Sequence, residues 1–255
     1  MLAAMAAISI GLPAFTDIKE TLWERPEYPK DGHHWDYKDA NAWANLCQDF
    51  KQCAEGNDQS PIDIETVELK EVPGSGLGFR YHASPVDVQN NGHTIEVDIE
   101  EPNSLELGGL SYQLKQFHFH EPSEHRLDGV LFPMEMHLVH ADTAGHLAVI
   151  GIFIKEGHPN EALDEIWRQM PTHPHEHVHA PHALDLAKLF PEGHSFFHYE
   201  GSLTTPPCTE GVQWYVLKEP LTLSKQQIET FRRLYHDNNR PMQAANHRAV
   251  EVVPE

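Results

Sequence analysis

Apolar positions along this 255-residue chain recur with a period of two more often than with the period of a helix. Alternation runs through His93–Ile99, Gln113–His120, Met134–His140, Leu147–Ile154 and Val212–Leu217, each bounded by Gly, Pro, Asn or Asp, which predicts strands of one extended sheet. Helical periodicity is confined to two short stretches. Glu161–Met170 predicts a helix with Asn160 as its N-cap, and Lys225–Tyr235 predicts another, since Ser224 and Gln227 form a capping-box pair ahead of Ile228, Phe231 and Leu234. No helix of crossover length separates the middle three strands, so antiparallel pairing is expected. The pattern predicts a β-dominated α+β fold: a single domain with a large central, mostly antiparallel twisted sheet and short peripheral helices.

That domain is expected over residues 16–255. The preceding Met1–Phe15 is apolar and rich in small residues, but no Lys or Arg occurs before Lys19, so it reads as a signal segment truncated at its start, with a disordered or surface-packed N-terminal arm as the alternative. It is too short to span a bilayer. With 39 acidic against 18 basic residues the formal charge is −21, which excludes nucleic acid and anionic lipid surfaces as natural partners. The 20 histidines point elsewhere, because neutral imidazole is both the commonest metal ligand and a proton carrier near neutral pH.

In the stretch Gln116–His120, alternate residues share a face, so a strand sets His118 and His120 side by side while Phe117 and Phe119 enter the apolar side. The next strand can bring His137 across from that pair, with Glu135 on the same face. Three neutral nitrogens without a thiolate suit zinc and leave a fourth tetrahedral position for water. Ligand histidines usually donate their other N–H to a nearby acceptor, and Gln116 and Glu135 are placed for this. His140 is out of phase with His137 and is expected to be packed or exposed. An HxH strand followed by a third histidine also arises by chance in so histidine-rich a chain, so spacing alone leaves metal chemistry open.

The company these histidines keep is more specific. Gln59–Ile64 (QSPIDI), Asn90–Thr94 (NNGHT), Gln116–His120 (QFHFH), Ser123–His125 (SEH), Glu135–His140 (EMHLVH) and Gly201–Cys208 (GSLTTPPC) resemble the α-class carbonic anhydrases in kind and order. The resemblance runs from about His34 to Pro241. It implies reversible hydration of carbon dioxide to bicarbonate and a proton through zinc-bound hydroxide, with one zinc per chain on His118, His120 and His137. Gln116, Glu135 and the Asn238 backbone carbonyl would support those ligands. Thr204 would orient the nucleophile while Glu124 takes the threonine's proton, and His93 would export the reaction's proton along waters ordered by Tyr37 and Asn91. Val139, Val149, Leu203, Thr205, Val212 and Trp214 would line the substrate pocket. The family often has a neutral amide or another polar residue where this chain has Glu96, which puts the water path in question.

The resemblance also implies a Cys53–Cys208 disulfide of the kind found in secreted and bacterial members, hence a periplasmic or secreted protein. Cys47 is then the leftover thiol, with Cys47–Cys208 as the alternative pairing. Bacterial relatives leave a homodimer open. Pro171–His182, with five histidines among prolines, is expected to be a solvated surface loop, with a secondary metal site or a buffering role as the alternatives. Two other functions compete: a non-catalytic binding module on the same fold, and a histidine-rich zinc-binding protein.

Overall fold

The computed structural model describes residues 34–74 and 76–254; Met1–Phe15, read as a signal segment, lies outside them. The centre of the molecule is a twelve-stranded sheet. Ten of its strands form a continuous path: β1 (Lys70–Glu71), β2 (Val86–Asn90), β3 (Ile95–Ile99), β4 (Leu110–His120), β5 (Met134–Ala141), β6 (Leu147–Glu156), β7 (His177–His179), β8 (Phe196–Ser202), β9 (Glu210–Leu223) and β10 (Glu251–Val253). In space they run β7-β2-β3-β4-β5-β6-β9-β8-β10-β1. Pairing along this path is antiparallel except at β6–β9 and β10–β1, which are parallel. The sheet is thus mostly antiparallel, as expected, with two parallel pairings that make it mixed.

The sheet's two faces bury different clusters. Phe117 and Phe119 of β4 and Met134, Met136 and Leu138 of β5 join the larger core, fully buried. Val139, Val149, Phe153, Val212 and Trp214 build a second cluster on the other face. β6 feeds both, with Ala148, Ile150, Ile152 and Ile154 on one side and Val149 and Phe153 on the other. This explains its nearly unbroken apolar run, since a strand covered on both faces has no polar side to show.

Several expected element boundaries move. The strand expected from His93 begins at Ile95, because the Asn91 carboxamide accepts the backbone N–H groups of His93 and Thr94 (both 2.9 Å) and bends the chain into a turn. Gly92 makes that turn feasible with φ of 91°. The helix expected over Glu161–Met170 is shorter, α1 (Asp164–Gln169), with Leu163 rather than Asn160 at its cap. Asn160 instead accepts from Leu163 N–H (3.2 Å) in a preceding turn, which Gln227 clamps by donating to the Asn160 carbonyl and to Asp164. The second helix, α2 (Lys225–Arg232), starts at the expected Ser224–Gln227 capping box and ends before Tyr235.

A disulfide joins Cys53 to Cys208, and Cys47 is a partly buried free thiol beside the cluster that contains both. Among the described residues no helix is long and apolar enough to cross a membrane.

Candidate metal centre

The register between β4 and β5 brings the three histidines together. His137 lies opposite His118, and Glu135 opposite His120, so all four side chains share the face away from the phenylalanines. His118, His120 and His137 each offer a ring nitrogen, and these atoms lie within 4.8 Å of one another. Across the β5–β6 pair His137 faces Gly151, where a Cβ would come within 3.0 Å of Glu135 Oε1. The glycine thus leaves room for the carboxylate.

Each ring has one nitrogen already committed. His118 Nδ1 donates to Gln116 Oε1 (2.8 Å), His120 Nδ1 to the Asn238 carbonyl (2.8 Å) and His137 Nε2 to Glu135 Oε1 (2.9 Å). The other nitrogens, Nε2 of His118 and His120 and Nδ1 of His137, turn toward one another. His120 Nε2 is buried without a hydrogen-bond partner, and so is Glu124 Oε2, 3.6 Å away. An orphaned buried acceptor costs stability unless something meets it. Three neutral nitrogens converging on one point fit a cation with a preference for imidazole.

Electrostatics keep the imidazoles in the form a metal needs. Burial lowers the pKa of all three, that of His120 to about 4, so they are neutral at physiological pH. Burial acts the opposite way on Glu135, but His125 and His137 beside it hold its carboxyl well below the usual range. Its second oxygen accepts the backbone N–H groups of Glu124 and His125 (both 2.9 Å). Burial raises Glu124 to about 7, against the pull of His137, the Arg240 N–H and the adjoining Thr204 hydroxyl.

His118 and His137 open onto a cleft of about 310 Å³. Its lining combines the apolar Val139, Val149, Leu203, Pro206, Pro207 and Trp214 with the polar Asn91, His93, Glu96 and Gln116. Thr204, Thr205 and Tyr37 also reach it. Val212 does not line the cleft but is buried in the same cluster as Val139, Val149 and Trp214. Glu96 Oε1 accepts from Gln89 (2.9 Å) and Oε2 from Asn91 (3.2 Å). His93 is nearly buried, stacked on Trp35 with ring centroids 3.7 Å apart.

Sequence reasoning missed two contributors. Trp35 covers His93, a contact between residues far apart in the chain. Arg240 donates its backbone N–H to Glu124 Oε1 (2.7 Å) and its guanidinium to the Ser60 and Cys53 carbonyls, fixing the acid from below. A lone arginine carries no periodic signal; only its place in the NNRP stretch, Asn238–Pro241, next to Asn238 could have drawn notice. The Pro171–His182 segment forms no preassembled metal cluster: among the described residues, the sets of three close ligand atoms are His118–His120–His137 and His125–Glu135–His137.

This geometry has counterparts. Residues 38–253 match the family model for eukaryotic-type carbonic anhydrase. The carbonic anhydrase of Pectobacterium atrosepticum is 37% identical over 224 residues, covering 86% of this chain and 91% of that one. That of Neisseria gonorrhoeae is 40% identical over 222 residues, covering 85% and 87%. Among solved structures, the α-carbonic anhydrase of Thermovibrio ammonificans in complex with sulfanilamide superposes with a TM-score of 0.84 at 41% identity, over 86% of this chain and 99% of that one. Sheet, histidine corner and relatives agree, and the chain belongs to the α-class carbonic anhydrases.

Proposed function

We propose that this enzyme interconverts carbon dioxide with bicarbonate and a proton in the cleft above His118, His120 and His137, and that these imidazoles hold one zinc ion per chain. The observation that carries the reading is the set of nitrogens left over once Gln116, Asn238 and Glu135 have taken the others, with His120 Nε2 buried and unpartnered. Bound there, zinc would lower the pKa of a water in its open position and supply a nucleophile at neutral pH, a property for which carbonic anhydrase is the standard example.

The chain's own residues do the rest. Thr204, its hydroxyl proton engaged by Glu124, faces the cleft with lone pairs only, so it accepts from the attacking oxygen and turns that oxygen's free pair toward the substrate. Val139, Val149, Leu203 and Trp214, with Thr205 at the rim and Val212 behind, give carbon dioxide a recess suited to a molecule without strong hydrogen-bonding groups. His93 carries the proton outward along waters ordered by Tyr37 and Asn91. Asn91 is held at both ends, by Glu96 and by the His93 turn, so Glu96 stiffens the wall along which that proton travels.

The rival of a non-catalytic module is disfavoured by histidine at all three ligand positions, and that of a zinc store by the absence of a cluster in the 171–182 segment among the described residues. The Cys53–Cys208 bridge supports an oxidising location, periplasmic or secreted. Stopped-flow carbon dioxide hydration before and after zinc removal, with zinc stoichiometry, tests the proposal. Turnover should vanish on removal, return with one zinc per chain, and be lost in His118→Ala. Turnover indifferent to zinc or to that substitution rejects it.

A further inference from the structure

The histidine-rich segment 171–182 is tied to the turn that carries His93, and Asn90 is the anchor. Its N–H donates to the Glu176 carbonyl (2.9 Å), its carbonyl accepts from His175 N–H (2.6 Å), and its carboxamide donates to the Pro171 carbonyl (3.1 Å). β7 then continues along β2, with His177 opposite Gln89. These bonds hang the exposed His175 over Gly92, the residue directly before His93: a methyl built on Gly92 would lie 3.7 Å from His175 Cε1.

His93 itself is 6% exposed and lies flat on Trp35. An imidazole so covered exchanges protons with bulk buffer poorly, and needs an exposed partner to hand them to. Burial, reinforced by the charges of His34 and His175 and opposed by Asp36, pushes its pKa down to about 4. His34 also stacks near it, with centroids 5.6 Å apart, but His175 is fixed by its main-chain bond to Asn90, next to the turn that carries His93. His173 contacts Glu176 (3.2 Å) and His177 contacts Asp87 (2.9 Å), both exposed.

We propose that His175 is a second proton station, taking the proton that His93 brings out of the cleft and releasing it directly to buffer from its exposed ring. The step is a proton transfer alone: neutral His175 becomes imidazolium and a buffer base removes the proton. The assignment rests on His93 acting as the shuttle, as read above.

The test is turnover in weak buffer of the zinc-loaded enzyme and its His93→Ala, His175→Asn, double, His34→Ala and His173→Ala variants, with oxygen-18 exchange separating interconversion from proton release. Asparagine suits the left-handed backbone of His175 (φ 68°) but carries no proton. His93→Ala should lower kcat about tenfold and His175→Asn roughly threefold, with kcat/KM and the interconversion rate unchanged and imidazole restoring both. The double variant should be no slower than His93→Ala, and His173→Ala should match the parent. If His93→Ala slows turnover while His175→Asn does not, or if His34→Ala or His173→Ala slows it as much as His175→Asn, the relay through His175 is wrong and the shuttle stands. Unchanged turnover in His93→Ala removes the shuttle and the relay together.

Discussion

His137 and His140 lie on one strand, β5, and face opposite sides of the sheet. Both are buried, and burial lowers the pKa of both. His140 spends both ring nitrogens inside the protein: Nδ1 donates to the Ala148 carbonyl (3.2 Å), which leaves Nε2 to accept from the Tyr81 hydroxyl. His137 spends one, on Glu135, and its Nδ1 has only the Glu124 carboxylate 3.9 Å away. Burial and neutrality are therefore common to packing and to a metal site. A spare nitrogen, aimed at two others, separates them.

The largest effect that bears on this contrast is a pH dependence of the core side. His140 has a folded pKa of about 4 against 6.5 in its ordinary state. A depressed histidine contributes stability that is full above the unfolded value and is lost as pH falls through the window toward the folded value, because the unfolded chain binds the proton first. At 1.36 kcal/mol per unit this amounts to about 3 kcal/mol between pH 7 and pH 4. His140→Gln should be less stable than the parent at pH 7, and urea unfolding at both pH values should show the gap closing by about that amount. A gap independent of pH would mean that His140 is merely a shape in the core.

On the cleft side the corresponding probe is Thr204, because it acts through chemistry rather than packing. Thr204→Val keeps the size of the side chain and removes the hydroxyl that adjoins Glu124. Carbon dioxide hydration should fall about 100-fold, close to 2.7 kcal/mol, with zinc content unchanged. Stopped-flow turnover near that of the parent would show that the Glu124–Thr204 pair has no orienting role.

The contrast also marks what the sequence made legible. The face carrying His118, His120 and His137 follows from a period of two, and so does the opposite placement of His140, since strand alternation converts residue parity directly into side. The same parity put His93 at the head of a strand, where the Asn91 carboxamide overrode it and made a turn. Partners brought in from afar were illegible. Arg240 reaches Ser60 across 180 residues, and Trp35 reaches His93 from the irregular stretch that precedes the 3-10 segment Tyr37–Asn45. Their contacts are set by tertiary closure, which no local pattern encodes. The histidine-rich segment was legible as composition only; its attachment to Asn90 appears once β7 is seen to pair with β2.

The smallest effect tests the outer nitrogens that leave the inner ones free. Gln116 is half-buried on the cleft wall and holds His118 Nδ1, whereas the equivalent support of His120 is a backbone carbonyl and that of His137 a fully buried carboxylate. Removing such an acceptor costs 10- to 100-fold in metal affinity as a rule. Water can reach the His118 position and replace part of what is lost, so Gln116→Ala should sit at the low end, about 10-fold or 1.4 kcal/mol in zinc affinity. Competition with a chelator of known affinity measures it directly, and thermal unfolding of the zinc-free protein should shift little, because the side chain is not part of either apolar cluster. An unchanged zinc affinity would show that His118 is oriented by strand geometry alone. The spare nitrogens would then be a product of sheet register and not of the hydrogen bonds behind them.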